Sequence, residues 1–191
     1  MYKRRHVILL LSFLFCVGCL QAQDSTRSNA GPFSFRTDFQ YLRSTHATIF
    51  DGASVNGDYQ MSPHFALGLG VQYAGTHLHN DNGWVLTNLK LLPVYISQIY
   101  TFLPTHRVQP YIHSEEGISF NHYDKLDLAV KPSPYKVSEE GLYLSGNGGV
   151  DIVLLKHLKV FTELGYKGYN HSTNDLDVNP HGLTTRVGIA L

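Results

Sequence analysis

Three stretches hold residue types that can do chemistry. His171-Ser172-Thr173 sets an imidazole beside two hydroxyls, with Asp175 and Asp177 following. A hydroxyl becomes a nucleophile only with a base in hydrogen-bond reach. On a regular strand His171 and Ser172 point to opposite faces, while Thr173 shares the face of His171. These three are the candidate catalytic residues; the competing expectation is a polar cluster at a loop edge. His113-Ser114-Glu115-Glu116 also contains a base, a hydroxyl and acids, but contiguous spacing spreads them over both faces, so structural polar contacts are expected. His77 and His79, two residues apart, share a face and are the candidate metal ligands, a pair without a third ligand beside it. No cofactor is expected.

The elements that must position these groups are strands. Phe65 to Thr76 alternates Phe65, Leu67, Leu69, Val71 and Tyr73 with Ala66, Gly68, Gly70, Gln72 and Ala74. Successive strand side chains point to opposite faces, so one face is large and apolar and the other small or polar. The same alternation recurs from Phe33, from about Ala53, from Leu142, from Val160 and from Leu183. Trp84 to Phe102 is apolar on both faces in its second half, and Pro93 predicts an irregularity there. In the next strand Tyr111, His113, Glu115, Gly117 and Ser119 share the expected inner face, and Glu116 then falls on the apolar side. A bulge at Glu115-Glu116 would remove that conflict. Eight strands result. Short turns are expected at Ser62-Pro63-His64, at Pro104 to Arg107 and at Lys156 to Lys159. Longer connections are expected at His77–Gly83, Asp124–Glu140 and Asn170–His181, and another connection at Ser44–Phe50.

The chain of 191 residues has room for one such domain. Lys3-Arg4-Arg5, the apolar run Val7 to Leu20 and the small residue Ala22 read as a secretory signal peptide over residues 1–22. That run is shorter than the roughly 20 residues a spanning helix needs. Residues 23–32 form a polar linker and 33–191 the strand domain. Both cysteines, Cys16 and Cys19, lie in the leader, and Val17-Gly18-Cys19 offers lipidation at Cys19 as the alternative processing. The strand domain thus has no thiol or disulfide chemistry. Basic and acidic residues balance at 15 each, which leaves no electrostatic footprint for nucleic acid.

Which face looks outward decides where the protein lives. A soluble lipocalin-like barrel would turn the apolar face inward. Here the polar face is rich in Gly and Ala, as a crowded interior needs, and the other face carries bulky Leu, Ile, Val and Tyr. Aromatics gather near strand ends: Tyr59, Phe65, Trp84, Tyr100, Phe102, Tyr111, Phe120, Tyr123, Phe161, Tyr166 and Tyr169. Tyrosine and tryptophan favour the membrane–water boundary. A closed barrel pairs every backbone group, which hydrocarbon demands. The expected fold is therefore all-β, an eight-stranded antiparallel up-and-down transmembrane β-barrel with a filled polar lumen. Its lumen should hold a charge network of Arg36, Asp38, Asp58, Lys90, Glu115, Asp151, Glu163, Lys167 and Arg186. Eight strands enclose space only for side chains, so no diffusion pore is expected.

FALGLGVQY (Phe65–Tyr73), QPYIHSEEGISF (Gln109–Phe120) and GLYLSGNGGVDIVL with KVFTELGYKGY resemble the small eight-stranded outer-membrane barrels of Gram-negative bacteria, of the opacity-protein and OmpX/OmpA-barrel type. The leader ending in Gln21-Ala22-Gln23 looks like those of Bacteroidetes secreted proteins. Barrels of that type often end in an aromatic residue; this chain ends in Leu191. The resemblance implies a place in the cell outer membrane, contact with its lipid, and short turns toward the periplasm. The longer loops would then meet extracellular surface ligands. It implies a structural or surface-interaction role. One alternative is a membrane-embedded esterase similar to lipid A deacylases, with His171 and Ser172 or Thr173 as its centre; the other is a soluble lipocalin-like barrel of the periplasm that binds a small apolar ligand.

Overall fold

A computed structural model of the chain describes residues 32–191 apart from 46–47, 82–83, 127–133, 156 and 171–178. The leader, the linker up to residue 31 and the cluster His171, Ser172 and Thr173 lie outside the described residues. Eight strands form the domain: β1 Phe33–Ser44, β2 Ile49–Gln60, β3 Phe65–Asp81, β4 Trp84–Thr101, β5 Val108–Leu126, β6 Tyr135–Leu155, β7 Leu158–Asn170 and β8 His181–Ala190. Each pairs antiparallel with the next, and β8 pairs with β1 to close the barrel. Closure leaves no edge strand, so the ladder satisfies the backbone without water.

Alternation decides which residues face where. Leu69 is 69% exposed, Leu144 47% and Ile152 42%, while Arg36, Asp38, Asn56, Asp58, Gln72 and Glu115 are buried. The apolar side chains thus ring the outside, opposite to the packing of a soluble lipocalin-type barrel. Following the ladder once around from Phe33 through Tyr59, Leu67, Gln98, Ser114, Gly146, Tyr166 and Leu183 returns to β1 at Arg43. That offset is the stagger that tilts strands in a barrel.

The barrel has a short-turn end and a long-hairpin end. At the first, the Phe65 amide donates to the Ser62 hydroxyl at 3.1 Å, and Met61 N–H to the Phe65 carbonyl at 3.0 Å. At the second, two of the expected loops are in part strand, while residues 171–178 of Asn170–His181 lie outside the described residues. β3 and β4 stay paired out to Asp81 and Trp84, and β5 and β6 out to Lys125 and Tyr135. The segment His77–Gly83 is therefore largely ladder, as are the ends of Asp124–Glu140 and of Ser44–Phe50. Their polar residues suggested loops, but cross-strand hydrogen bonding continues wherever both partners stay extended.

The irregularity in β4 lies before Pro93, not at it. Register shifts between Thr87 and Lys90, and Asn88 adopts φ 54°. One extra residue there reverses the alternation, so Leu86, Leu89 and Leu91 all point inward. Lys90 consequently faces outward, and its assignment to the lumen is wrong. No bulge occurs at Glu115-Glu116: both residues pair in unbroken register, and Glu116 faces outward.

Asn88 tolerates its left-handed backbone because its short amide reaches Asp124 Oδ2 at 3.1 Å. Asn88→Val should destabilise the barrel by about 1–2 kcal/mol, whereas Asn88→Gly should be close to neutral. Equilibrium urea unfolding in lipid vesicles measures both; equal stabilities would remove the strain argument.

Candidate functional site

The inward side chains of all eight strands meet in one packed lumen. Its lower layer, toward the short-turn end, is ionic. Arg186 on β8 donates two hydrogen bonds to Glu115 on β5, at 2.6 and 2.5 Å, and lies 3.5 Å from Glu163 on β7. Arg36 on β1 donates to Asp151 on β6 at 2.7 Å and to the Tyr111 hydroxyl at 2.8 Å. Tyr111 in turn donates to Glu163 at 2.8 Å. The Arg36 guanidinium also covers the Phe161 ring at 4.3 Å. Buried charges need this kind of bidentate and reinforced pairing to offset the loss of water.

The remaining lumen charges bind neutral partners. Asp38 accepts from the Ser54 hydroxyl at 2.5 Å, and Asp58 from the Ser97 hydroxyl at 2.9 Å. Lys167 donates to the side-chain carbonyl oxygens of Gln40 and Gln72, and its ammonium lies over the Tyr143 ring. The structure thus brings together Arg36, Asp38, Asp58, Glu115, Asp151, Glu163, Lys167 and Arg186, and excludes Lys90.

The upper layer is apolar. Leu42, Phe50, Ala74, Leu86, Leu89 and Leu91 pack with Tyr95, Tyr123, Tyr143 and Tyr169. Tyr143 sits between Tyr95 and Tyr169, with ring centroids 5.3 and 5.2 Å away. Its hydroxyl donates to Glu115 at 2.6 Å and so joins the two layers. Gly70 makes room for this stack: a β-carbon there would collide with Asn56 and the Tyr95 ring. Tyr111, Tyr123, Phe161 and Tyr169, which strand-end position suggested for the membrane boundary, are buried lumen residues instead. Their odd numbers share the inward face of β5 and β7, the face on which alternation already sets Tyr111 with Glu115 and Phe161 with Glu163.

One triad of side chains looks catalytic. The Ser97 hydroxyl lies 3.1 Å from His113 Nε2, and His113 Nδ1 lies 3.0 Å from Glu163. The serine comes from β4, across the sheet, and not from the adjacent Ser114. Nucleophile, base and orienting acid stand in the order an acyl-transfer centre uses. Ser97, however, is wholly buried, and its hydroxyl proton goes to Asp58. In this packing the hydroxyl is closed off from solvent and already donates to a carboxylate, so the three groups form a buried hydrogen-bonded relay. His77 and the backbone of His79 lie in β3; among the described residues no group of three His, Cys, Asp or Glu could hold a metal ion.

No family model and no curated protein matches the sequence. Solved structures do match. A major outer membrane protein from Thermus thermophilus aligns with TM-score 0.58 and 12% identity, over 83% of this chain and 97% of that one. Neisserial surface protein A aligns with TM-score 0.53 and 15% identity, over 84% and 97%. Ail, the attachment invasion locus protein of Yersinia pestis, aligns with TM-score 0.52 and 8% identity, over 83% and 96%. At such identities the likeness is one of fold. The outward apolar girdle requires lipid around it, and closed antiparallel barrels of this kind span outer membranes. By fold and by solvent, the chain is a small eight-stranded outer-membrane β-barrel.

Proposed function

We propose that the protein serves as a structural or surface-contact barrel of the outer membrane and conducts no solutes. The observation that carries this reading is the two-layer filling: an ionic layer cross-linked by Arg36 and Arg186, closed above by Leu86, Leu89, Leu91 and the tyrosines. The lumen charges act structurally in this reading, by holding opposite walls together. Short turns in such barrels face the periplasm. The paired extensions β3–β4 and β5–β6 then stand outside the cell and are the parts that meet surface ligands. Ail has been solved in complex with the heparin analogue sucrose octasulfate. At the long-hairpin end of this chain, Arg43, Lys90 and Lys136 are interspersed with Asp51, Asp124 and Glu140. Such mixed charge favours a ligand of mixed charge over a polyanion.

Planar-bilayer recording tests the filled lumen. The unsubstituted protein should give no steady channel conductance, and protease added to whole cells should cut between Leu126 and Tyr135. Stable ohmic channels, or protection of that segment on intact cells, would overturn the reading.

A further inference from the structure

One wall of the girdle departs from the rest. The outward positions of β5 run Val108, Pro110, Ile112, Ser114, Glu116, Ile118 and Phe120, so a carboxyl group sits near the middle of an apolar column. On β4, Gln98 faces outward opposite Ser114. On β6, Gly146 faces outward opposite Ser114 and Gly148 opposite Ile112. A β-carbon on either glycine would meet open space. The side chains of Gln98, Ser114 and Glu116 have no hydrogen bond or ion pair among the described residues. The opposite wall, β1 and β8, presents Phe35, Phe39, Val187 and Ile189, with threonines between them as its polar outward residues at this height.

A carboxyl group at mid-bilayer without a donor is costly, and lipid tails offer none. Its wall carries both halves of a solution: an acceptor in Glu116, and donors in the Ser114 hydroxyl and the Gln98 amide. A surface bearing acceptor and donors together is satisfied by its own two-fold copy. A two-fold axis along the membrane normal keeps every residue at its depth. The stagger makes each step from β5 to β6 climb toward the long-hairpin end by about one residue. Gly146, in register with Ser114, therefore stands near the depth of Glu116. Small residues at that depth let two walls approach closely.

We propose that the β4–β6 wall is the interface of a homodimer within the membrane. Glu116 of each copy seats over Gly146 and Gly148 of the other and accepts hydrogen bonds from its Ser114 hydroxyl and Gln98 amide. This rests on the girdle facing lipid but not on the lumen being closed.

Cysteine cross-linking in isolated outer membranes tests it. Ser114→Cys with a mild oxidant should give a disulfide-linked band of twice the chain mass, with the unsubstituted chain run alongside as the baseline. Phe39→Cys, on the opposite wall, should give none. Adding Gly146→Trp to Ser114→Cys should cut the linked band by about tenfold, as loss of close wall contact predicts. The heat-shifted gel band shows in each case that the barrel has folded. Absence of the linked band in folded Ser114→Cys overturns the dimer. So does a linked band of another mass, an equal band from Phe39→Cys, or a band that survives Gly146→Trp. Failure of the unsubstituted chain to show a heat-shifted membrane form would instead overturn the membrane reading beneath it.

Discussion

Replacing Arg186 with leucine is expected to destabilise the folded barrel by about 3–5 kcal/mol, because Glu115 is left charged and buried without its partner. Arg186 and Glu115 are both almost wholly inaccessible, and two short bonds join them across the lumen. Tyr143 still donates to Glu115, but one neutral hydroxyl does not replace a guanidinium. The void left by the shorter side chain and the lost hydrogen bonds would by themselves be a smaller effect; the stranded charge dominates. The double substitution Glu115→Leu with Arg186→Leu removes both charges and should recover much of the loss. Recovery is incomplete because Glu163 also leans on Arg186 at 3.5 Å. Urea titration in lipid vesicles, scored by the heat-shifted gel band, gives both values. A single-substitution loss under about 1 kcal/mol, the range of exposed ion pairs, would mean water reaches this site.

How much of this was readable from residues alone follows from the period of two. Wherever a strand alternates cleanly, as in Phe65 to Tyr73 or Leu142 to Leu154, both faces were legible and the closed barrel followed. Lumen charges on such strands, Asp58 and Glu163 among them, were placed by the same rule. Lys90 was not, because an extra residue between Thr87 and Lys90 reverses the faces, and β4 is apolar on both sides there. Nothing in Leu86, Leu89 and Leu91 as letters says that all three point inward; the left-handed Asn88 decides it. Glu116 failed for the opposite reason. A charge on the apolar face looked like an error to be repaired by a bulge, whereas the strand runs on regularly and leaves the carboxyl facing out. The meeting of Ser97 with His113 depends on which residues lie across the ladder, and register is set by the whole closed sheet.

The second large effect concerns solvent at the outer surface. Leu69→Arg should destabilise the barrel by about 2–4 kcal/mol if hydrocarbon surrounds it. Leu69 is among the most exposed side chains of β3, and it pairs in register with Gly57 and Ile96 near mid-girdle. It buries little within the chain, so truncation removes few protein contacts. On a water-facing wall the same change would stay within about 0.5 kcal/mol. Depth supplies the control. Tyr41, equally outward but paired with Asp51 near the long-hairpin end, should accept arginine at a cost of about 0–1 kcal/mol. Folding contacts within the chain cannot produce that gradient, since both side chains point away from it. Measured in vesicles by urea unfolding, a steep fall for Leu69→Arg beside a shallow one for Tyr41→Arg reports the bilayer itself. Equal, small losses at both depths would put water around the girdle, and the outward leucines would then need another cover.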